Sequence, residues 1–225
     1  MEVLLKLDVR KVRLKMEIYE YGSKSASVVL VQMIDEHEVD EIENEFKLIK
    51  DNVDGEFRFI AVKVEDWNYD LAPWEAPPVF GKHGFGDGAG NTLKEVLKLC
   101  SDDSMTYIIG GYSLAGLFAL WVGYQTDVFK GIAAASPSIW YPTFTDYMRK
   151  NELESDIVYL SLGDKEEKTR NQVMATVADK IREAYVLLKE QNVECILEWN
   201  SGNHFKDSHV RIAKAFCWVM EGCKG

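Results

Sequence analysis

Ser113 is the residue whose surroundings in this chain could support covalent chemistry. It stands in Gly110-Gly111-Tyr112-Ser113-Leu114-Ala115-Gly116, between a segment of strand character (105–109) and a largely apolar segment of helical character (114–124). At such a junction a serine can be held on a sharp turn with its hydroxyl above the carboxyl edge of a sheet. The turn is crowded, so the positions two before and two after the serine must be small, and Gly111 and Ala115 meet that demand. The first amides of the following helix, beginning with Leu114, can hold an oxyanion in the same space.

A serine hydroxyl is a weak nucleophile without a neighbouring base. In the strand-turn-helix arrangement the partners come later in the chain, in the order serine, acid, histidine. Two histidines follow Ser113. His204 lies in the turn-rich stretch Asn200-Ser201-Gly202-Asn203-His204-Phe205, directly after a strand-like segment and so at the same sheet edge. His209 falls in the first turns of a closing helix, where capping or surface duty is expected. His37 and His83 precede the serine and read as solvent-facing. His204 is the candidate base. The acid should follow the strand at 157–162, where Asp164, Glu166 and Glu167 offer three carboxylates. Such a group fixes the imidazole tautomer and stabilises the imidazolium formed during proton transfer. The acid commonly lies a few residues beyond the glycine that ends this strand, which favours Glu166 and leaves Asp164 and Glu167 open.

The elements that must position these groups follow from periodicity. Residues 12–19 alternate between apolar and charged, as an edge strand with one wet face does. Residues 27–34 are nearly all apolar, the pattern of a strand covered on both faces. Further strands are expected at 57–64, 131–135, 157–162 and 195–199. Val39, Ile42, Phe46 and Ile49 mark one helical stripe, Val173, Val177, Ile181, Ala184 and Leu188 a second, and Val210, Ala213, Phe216, Cys217 and Met220 a third. This alternation predicts an α/β architecture with a mostly parallel sheet covered by helices on both faces.

One long loop, 65–91, holds three of the five prolines and five glycines, which marks it as functional or mobile. Its glycine string at 84–90 lacks both a strand running into it and the Gly-Lys-Ser/Thr ending of a phosphate loop. It reads as a flexible hairpin-like surface loop.

The 225 residues and 47% apolar content fit one domain spanning 1–225, at roughly 150 residues per domain. With 26 basic against 37 acidic side chains the formal charge is -11, which argues against phosphate backbones and anionic membrane surfaces as partners. The amino terminus carries charge where a leader peptide needs an apolar run, and no stretch approaches a membrane span. Cys100, Cys195, Cys217 and Cys223 form no Cys-x-x-Cys pair, and no His-Glu-x-x-His motif occurs. A cytoplasmic address with reduced cysteines, no metal and no cofactor is therefore expected, with the oligomeric state open.

At these residues the chain resembles the esterase branch of the α/β-hydrolase superfamily that includes trilactone siderophore esterases. The resemblance rests on Gly111-Tyr112-Ser113-Leu114 with Ala115-Gly116, on Ser136-Pro137-Ser138-Ile139-Trp140, on Gly202-Asn203-His204, and on Trp67-Asn68-Tyr69-Asp70-Leu71-Ala72-Pro73. It implies a three-layer α/β-hydrolase fold with a minimal cap, since only residues 137–155 are available where lid domains are usually inserted. It implies Ser113 as nucleophile, His204 as base and a carboxylate near Glu166, although some siderophore esterases of this branch use a serine-histidine dyad. Oxyanion donors are implied at the Leu114 amide and around Ile34 and Asp35. Trp67, Tyr112 and Trp140 are expected at the substrate, in an open site roofed by Trp140, Tyr141 and the 65–91 loop. Ala115 stands where many hydrolases have glycine, and Met33-Ile34-Asp35-Glu36 lacks the His-Gly pair of many lipases. The implied activity is hydrolysis of a small-molecule carboxylic ester through an acyl-enzyme. The competing expectations are a thioesterase or acyltransferase with the same residues, or a non-catalytic binding protein on the same fold.

Overall fold

The chain, described over residues 16–79 and 81–224 in a computed structural model, threads seven strands through one sheet. They are β1 (Glu17–Gly22), β2 (Val28–Ile34), β3 (Arg58–Lys63), β4 (Thr106–Tyr112), β5 (Phe129–Ala135), β6 (Ile157–Gly163) and β7 (Glu194–Asn200). Their spatial order is β1-β3-β2-β4-β5-β6-β7. All neighbours pair in parallel except β1, which runs antiparallel to β3 at the edge. The expected edge strand at 12–19 is thus found from Glu17 onward, while residues 12–15 and the charged start of the chain lie outside the described residues.

Side-chain alternation produces the layering. In β2, Val29, Val31 and Met33 enter the apolar core on one face, and Leu30 and Ile34 enter the core on the other. Seven helices cover the two faces: α1 (Ile42–Asn52), α2 (Trp67–Asp70), α3 (Ala89–Leu99), α4 (Leu114–Val122), α5 (Phe144–Lys150), α6 (Val177–Glu190) and α7 (Ser208–Gly222). Ile42 and Ile49 of α1 share their core with Ile212, Phe216 and Val219 of α7. Residues of α3, α4, α5 and α6 fill the opposite core. α4 is buried along its whole length, as an apolar helix between sheet and outer helices must be. Among the described residues no helix is long and apolar enough to cross a membrane. All four cysteines are free.

The structure corrects the reading of three segments. The stretch at 65–91, expected as one long loop, carries α2 and the start of α3. Asp70, buried at the end of α2, accepts the amides of Glu65 (3.1 Å) and Asp66 (2.9 Å), Ala76 bridges Phe85, and Gly86 lies so close to Tyr69 that a Cβ there would meet its ring at 2.1 Å. α3 begins inside this stretch, opened by Gly88, Ala89 and Gly90, whose weak helix signal hides its start. Between β5 and β6 the chain forms the short α5, which packs onto the body through the fully buried Phe144 and Met148. In α7 Ala213, Phe216 and Met220 of the expected stripe are buried, but the buried face extends to one side of it: Val210 is 43% exposed, whereas Arg211, Ile212, Ala215 and Val219 are buried.

Candidate active site

The carboxyl ends of the parallel strands share one rim, and the candidate residues sit on the turns leaving it. Ser113 follows β4, Ser136 and Ser138 follow β5, Glu166 follows β6, and His204 lies between β7 and α7. Because β4, β5, β6 and β7 are neighbours in the sheet, residues far apart in sequence meet.

Ser113 adopts φ +57° and ψ -120°, a conformation that costs a non-glycine residue about 1–3 kcal/mol. The surrounding chain enforces it. The Ser113 amide donates to the Ala135 carbonyl (3.2 Å), and its carbonyl accepts from the amides of Leu117 (3.1 Å) and Ser138 (2.9 Å). A Cβ on Gly111 would lie 2.6 Å from the Ala115 Cβ, which is the steric reason for the small pair flanking the serine. Leu114 heads α4, where amides have no intrahelical acceptor.

The Ser113 Oγ lies 3.0 Å from Nε2 of His204, and Nδ1 of His204 lies 2.7 Å from Oε2 of Glu166. With Nδ1–H donated to the carboxylate, Nε2 presents its lone pair to the serine hydroxyl. Of the three carboxylates left open by sequence, Glu166 is the one on the imidazole. Asp164 instead accepts the Gly202 amide (2.8 Å), which staples the β6 loop to the β7 loop, and Glu167 is exposed. Oε1 of Glu166 accepts three further hydrogen bonds, from the Gly163 amide (2.7 Å), the Ser136 hydroxyl (2.7 Å) and Nη1 of Arg211 (3.0 Å). Burial pushes this carboxyl up, but the hydrogen bond and charge of His204, with Ser136 and Gly163, outweigh it and hold Glu166 below the usual carboxylate range. A second hydroxyl, Ser138, lies 3.3 Å from the Ser113 Oγ.

Asp35, Glu38, Trp67, Tyr112, Ser113, His204, Phe205 and Ser208 line a cavity of about 230 Å³ over the serine. A larger cavity of about 410 Å³ lies on the α1–α7 face, far from this chemistry, so size alone would misplace the site. Trp67 lines the cavity. The Tyr112 ring lies 5.2 Å from the imidazole, but its hydroxyl donates to the His204 carbonyl (2.8 Å), so it braces the histidine loop. Burial pushes its phenol up to about 12. Trp140 and Tyr141 do not form the expected roof. Trp140 is 8% and Tyr141 2% exposed, both pack on Phe85, and Tyr141 donates to the Trp74 carbonyl (2.6 Å).

The second oxyanion position also differs from expectation. Ile34 is fully buried at the end of β2, and the Asp35 amide donates to Oε2 of Glu38 (3.0 Å), while Oδ1 of Asp35 accepts the Glu38 amide (3.1 Å). This reciprocal pair has the hydrogen-bond pattern of a capping box, placed in the turn ahead of the 3-10 helix at Val39–Glu41. Burial pushes the Glu38 carboxyl up to about 7 against the pull of the Asp35 amide. Sequence reasoning gave no role to Glu38, Phe205, Ser136 or Arg211, although Ser136 and Phe205 lie in segments it singled out. The Asp-x-x-Glu spacing at 35–38 was the available signal for the first. His37 and His83 are exposed and His209 sits in the first turn of α7, each as expected.

This is an α/β-hydrolase fold. No protein-family model matches the sequence, and no curated protein matches it. Among solved structures, an IroE-like serine hydrolase from Shewanella oneidensis superposes with a TM-score of 0.72 at 14% identity, over 92% of this chain and 76% of that one. The siderophore hydrolase EstA from Aspergillus nidulans gives 0.64 at 14% identity over the full length of both chains. The enterobactin esterase FES from Shigella flexneri gives 0.64 at 11% identity, over 95% of this chain and 60% of that one. At these identities the likeness establishes the fold.

Proposed function

We propose that the chain is a serine esterase that cleaves a small-molecule carboxylic ester through an acyl-enzyme on Ser113. The observation that carries this reading is the continuous hydrogen-bonded path from Ser113 Oγ through His204 to Glu166, at 3.0 and 2.7 Å. His204 takes the serine proton as the hydroxyl attacks the ester carbonyl, and the developing oxyanion rests on the Leu114 amide. The alkoxide leaves with the proton held on Nε2. Water then repeats the sequence on the acyl-enzyme and returns Ser113 to its free form. The strained φ of Ser113 supports catalysis over a binding role alone, which would give no reason to store it.

The cavity supports a small substrate. Its volume of about 230 Å³ is below the roughly 300–1,000 Å³ of drug-sized ligand sites, so one arm of the ester enters and the other lies over the rim beside Phe205. Asp35 and Glu38 line it without a lysine or arginine, which disfavours an anionic group next to the reacting carbonyl. The siderophore specificity of the structural neighbours is therefore not carried over. The test is p-nitrophenyl acetate hydrolysis and fluorophosphonate labelling of the wild-type chain and Ser113→Ala. Turnover and label confined to the wild type are expected; equal signals from both proteins would end the proposal.

A further inference from the structure

One buried cation joins the parts of this site. Arg211, in the first turn of α7, has a side chain only 3% exposed, and it faces Glu166, whose side chain is 4% exposed. Nη1 donates to Glu166 Oε1 (3.0 Å), to the Tyr112 hydroxyl (3.1 Å) and to the Ser136 Oγ (3.3 Å). Nη2 donates to the carbonyls of Asn203 (3.1 Å) and Ser201 (3.3 Å), both in the loop that carries His204. The planar guanidinium is a rigid fork, so one group fixes the carboxylate on one side and the histidine loop on the other. The Tyr112 hydroxyl extends the brace, because it accepts from Arg211 and donates to the His204 carbonyl.

We propose that Arg211 is a positioning residue for Ser113 chemistry, acting through two separable contacts: its fork on the loop carbonyls and its charge against Glu166. The proposal rests on the esterase reading above. The fork sets where Nε2 of His204 stands relative to Ser113 Oγ, and misplacement of a reacting group by a fraction of an ångström lowers the rate. The charge acts on the proton of His204. A carboxylate facing the imidazole alone would hold the imidazolium tightly and keep the base protonated to higher pH. Sharing that carboxylate with a permanent cation weakens the hold. The other ionisable groups around His204 are Tyr112, Asp35 and Glu38 across the cavity and Lys206 and Asp207 on its own loop. The side chains of Asp35, Glu38, Lys206 and Asp207 are not partners of Arg211, so their influence cancels in the comparison, and Tyr112, held up to about 12 by burial, does not titrate over the acid limb.

The experiment measures p-nitrophenyl acetate kcat/KM and the rate of fluorophosphonate labelling of Ser113 from acid to alkaline pH, with melting temperatures, for wild type, Arg211→Gln and Arg211→Lys. Arg211→Gln removes charge and fork together. Its acid limb is expected to move up by about one pH unit, with a loss of about 100-fold at neutral pH. Arg211→Lys keeps the charge and loses the fork, so its acid limb stays with the wild type while the rate falls about tenfold. An unmoved limb in Arg211→Gln, or a wild-type rate in Arg211→Lys, overturns the proposal. If Arg211→Gln does not fold, with Glu166 left buried and unpaired, Arg211→Lys decides alone by the same criterion. A wild-type chain that takes no label refutes the esterase reading itself, whereas a labelled wild type with unmoved variants refutes only the role of Arg211.

Discussion

The substitution Glu166→Gln tests the site most sharply, because the surrounding donors dictate how the new amide must sit. On the Oε1 side stand three donors, the Gly163 amide, the Ser136 hydroxyl and Arg211, while the Oε2 side meets the single nitrogen Nδ1 of His204. A glutamine places its oxygen against the three donors, since an NH2 there would confront a backbone amide at 2.7 Å and a guanidinium at 3.0 Å. Its NH2 group then faces Nδ1 and donates to it. The imidazole must carry its proton on Nε2 and presents N–H, not a lone pair, to Ser113. The general base is lost although no side chain has moved. Enforcing the wrong tautomer in this arrangement lowers kcat by about 10⁴, equivalent to about 5.5 kcal/mol of barrier. The assay is kcat for p-nitrophenyl acetate at neutral pH, with thermal melting to show that the chain is folded. A folded Glu166→Gln variant that retains more than about a tenth of wild-type kcat would refute both the tautomer argument and the role of Glu166.

Other expectations follow from single contacts. Gly111→Ala places a Cβ 2.6 Å from Ala115 Cβ and from its backbone carbon, so the turn must open; a destabilisation of about 1–3 kcal/mol and a slower labelling of Ser113 are expected, read by melting and by label uptake. Glu38 releases its proton near pH 4.5 when unfolded and near 7 when folded, so its contribution to stability is full below about pH 4.5 and falls as pH rises through 7. Glu38→Gln should flatten that part of the melting-temperature profile between about pH 5 and 8. At pH 8 the same variant should also raise kcat/KM by about tenfold, because the ionised Glu38 repels a nearby oxyanion and a glutamine there does not; the gain should shrink at pH 6, and a loss at pH 8 would count against this charge effect. Phe205 is 88% exposed at the cavity rim, so Phe205→Ala should raise KM for aryl esters while the melting temperature stays within about 1 °C.

The fold was legible where burial imposes a period. β2 and β6 are nearly all apolar because helices cover both sheet faces, whereas the phase of β1 was not legible: Ile18 of the expected apolar stripe is 40% exposed, and Tyr19 and Tyr21 pack on the core instead. Elements without a period were lost. α5 is two turns long, and its Phe144, Thr145 and Met148 are buried by tertiary packing rather than marked by a stripe. α3 opens with Gly88, Ala89 and Gly90 because Gly88 must pass beside Tyr69, a demand that local propensity cannot express.

The site divides along the same line. The turn at Ser113 was legible because its steric demands show in the residues beside it, and His204 stood out as a partner because few histidines follow the serine. The choice among Asp164, Glu166 and Glu167 could not be made, since it depends on which carboxylate the β7 loop meets: Asp164 meets Gly202, and Glu166 meets His204. Arg211 was hidden for a related reason. A charged residue beside an apolar stripe is normally solvated, and the stripe expected through Val210, Ala213, Phe216, Cys217 and Met220 turned Arg211 outward. The stripe that the core selects, through Ile212, Ala215, Phe216 and Val219, turns it inward onto a carboxylate. A buried arginine requires a partner, so the correct helical phase at 208–222 would by itself have called for an acid at this rim, and among the three candidates only Glu166 is placed to answer it.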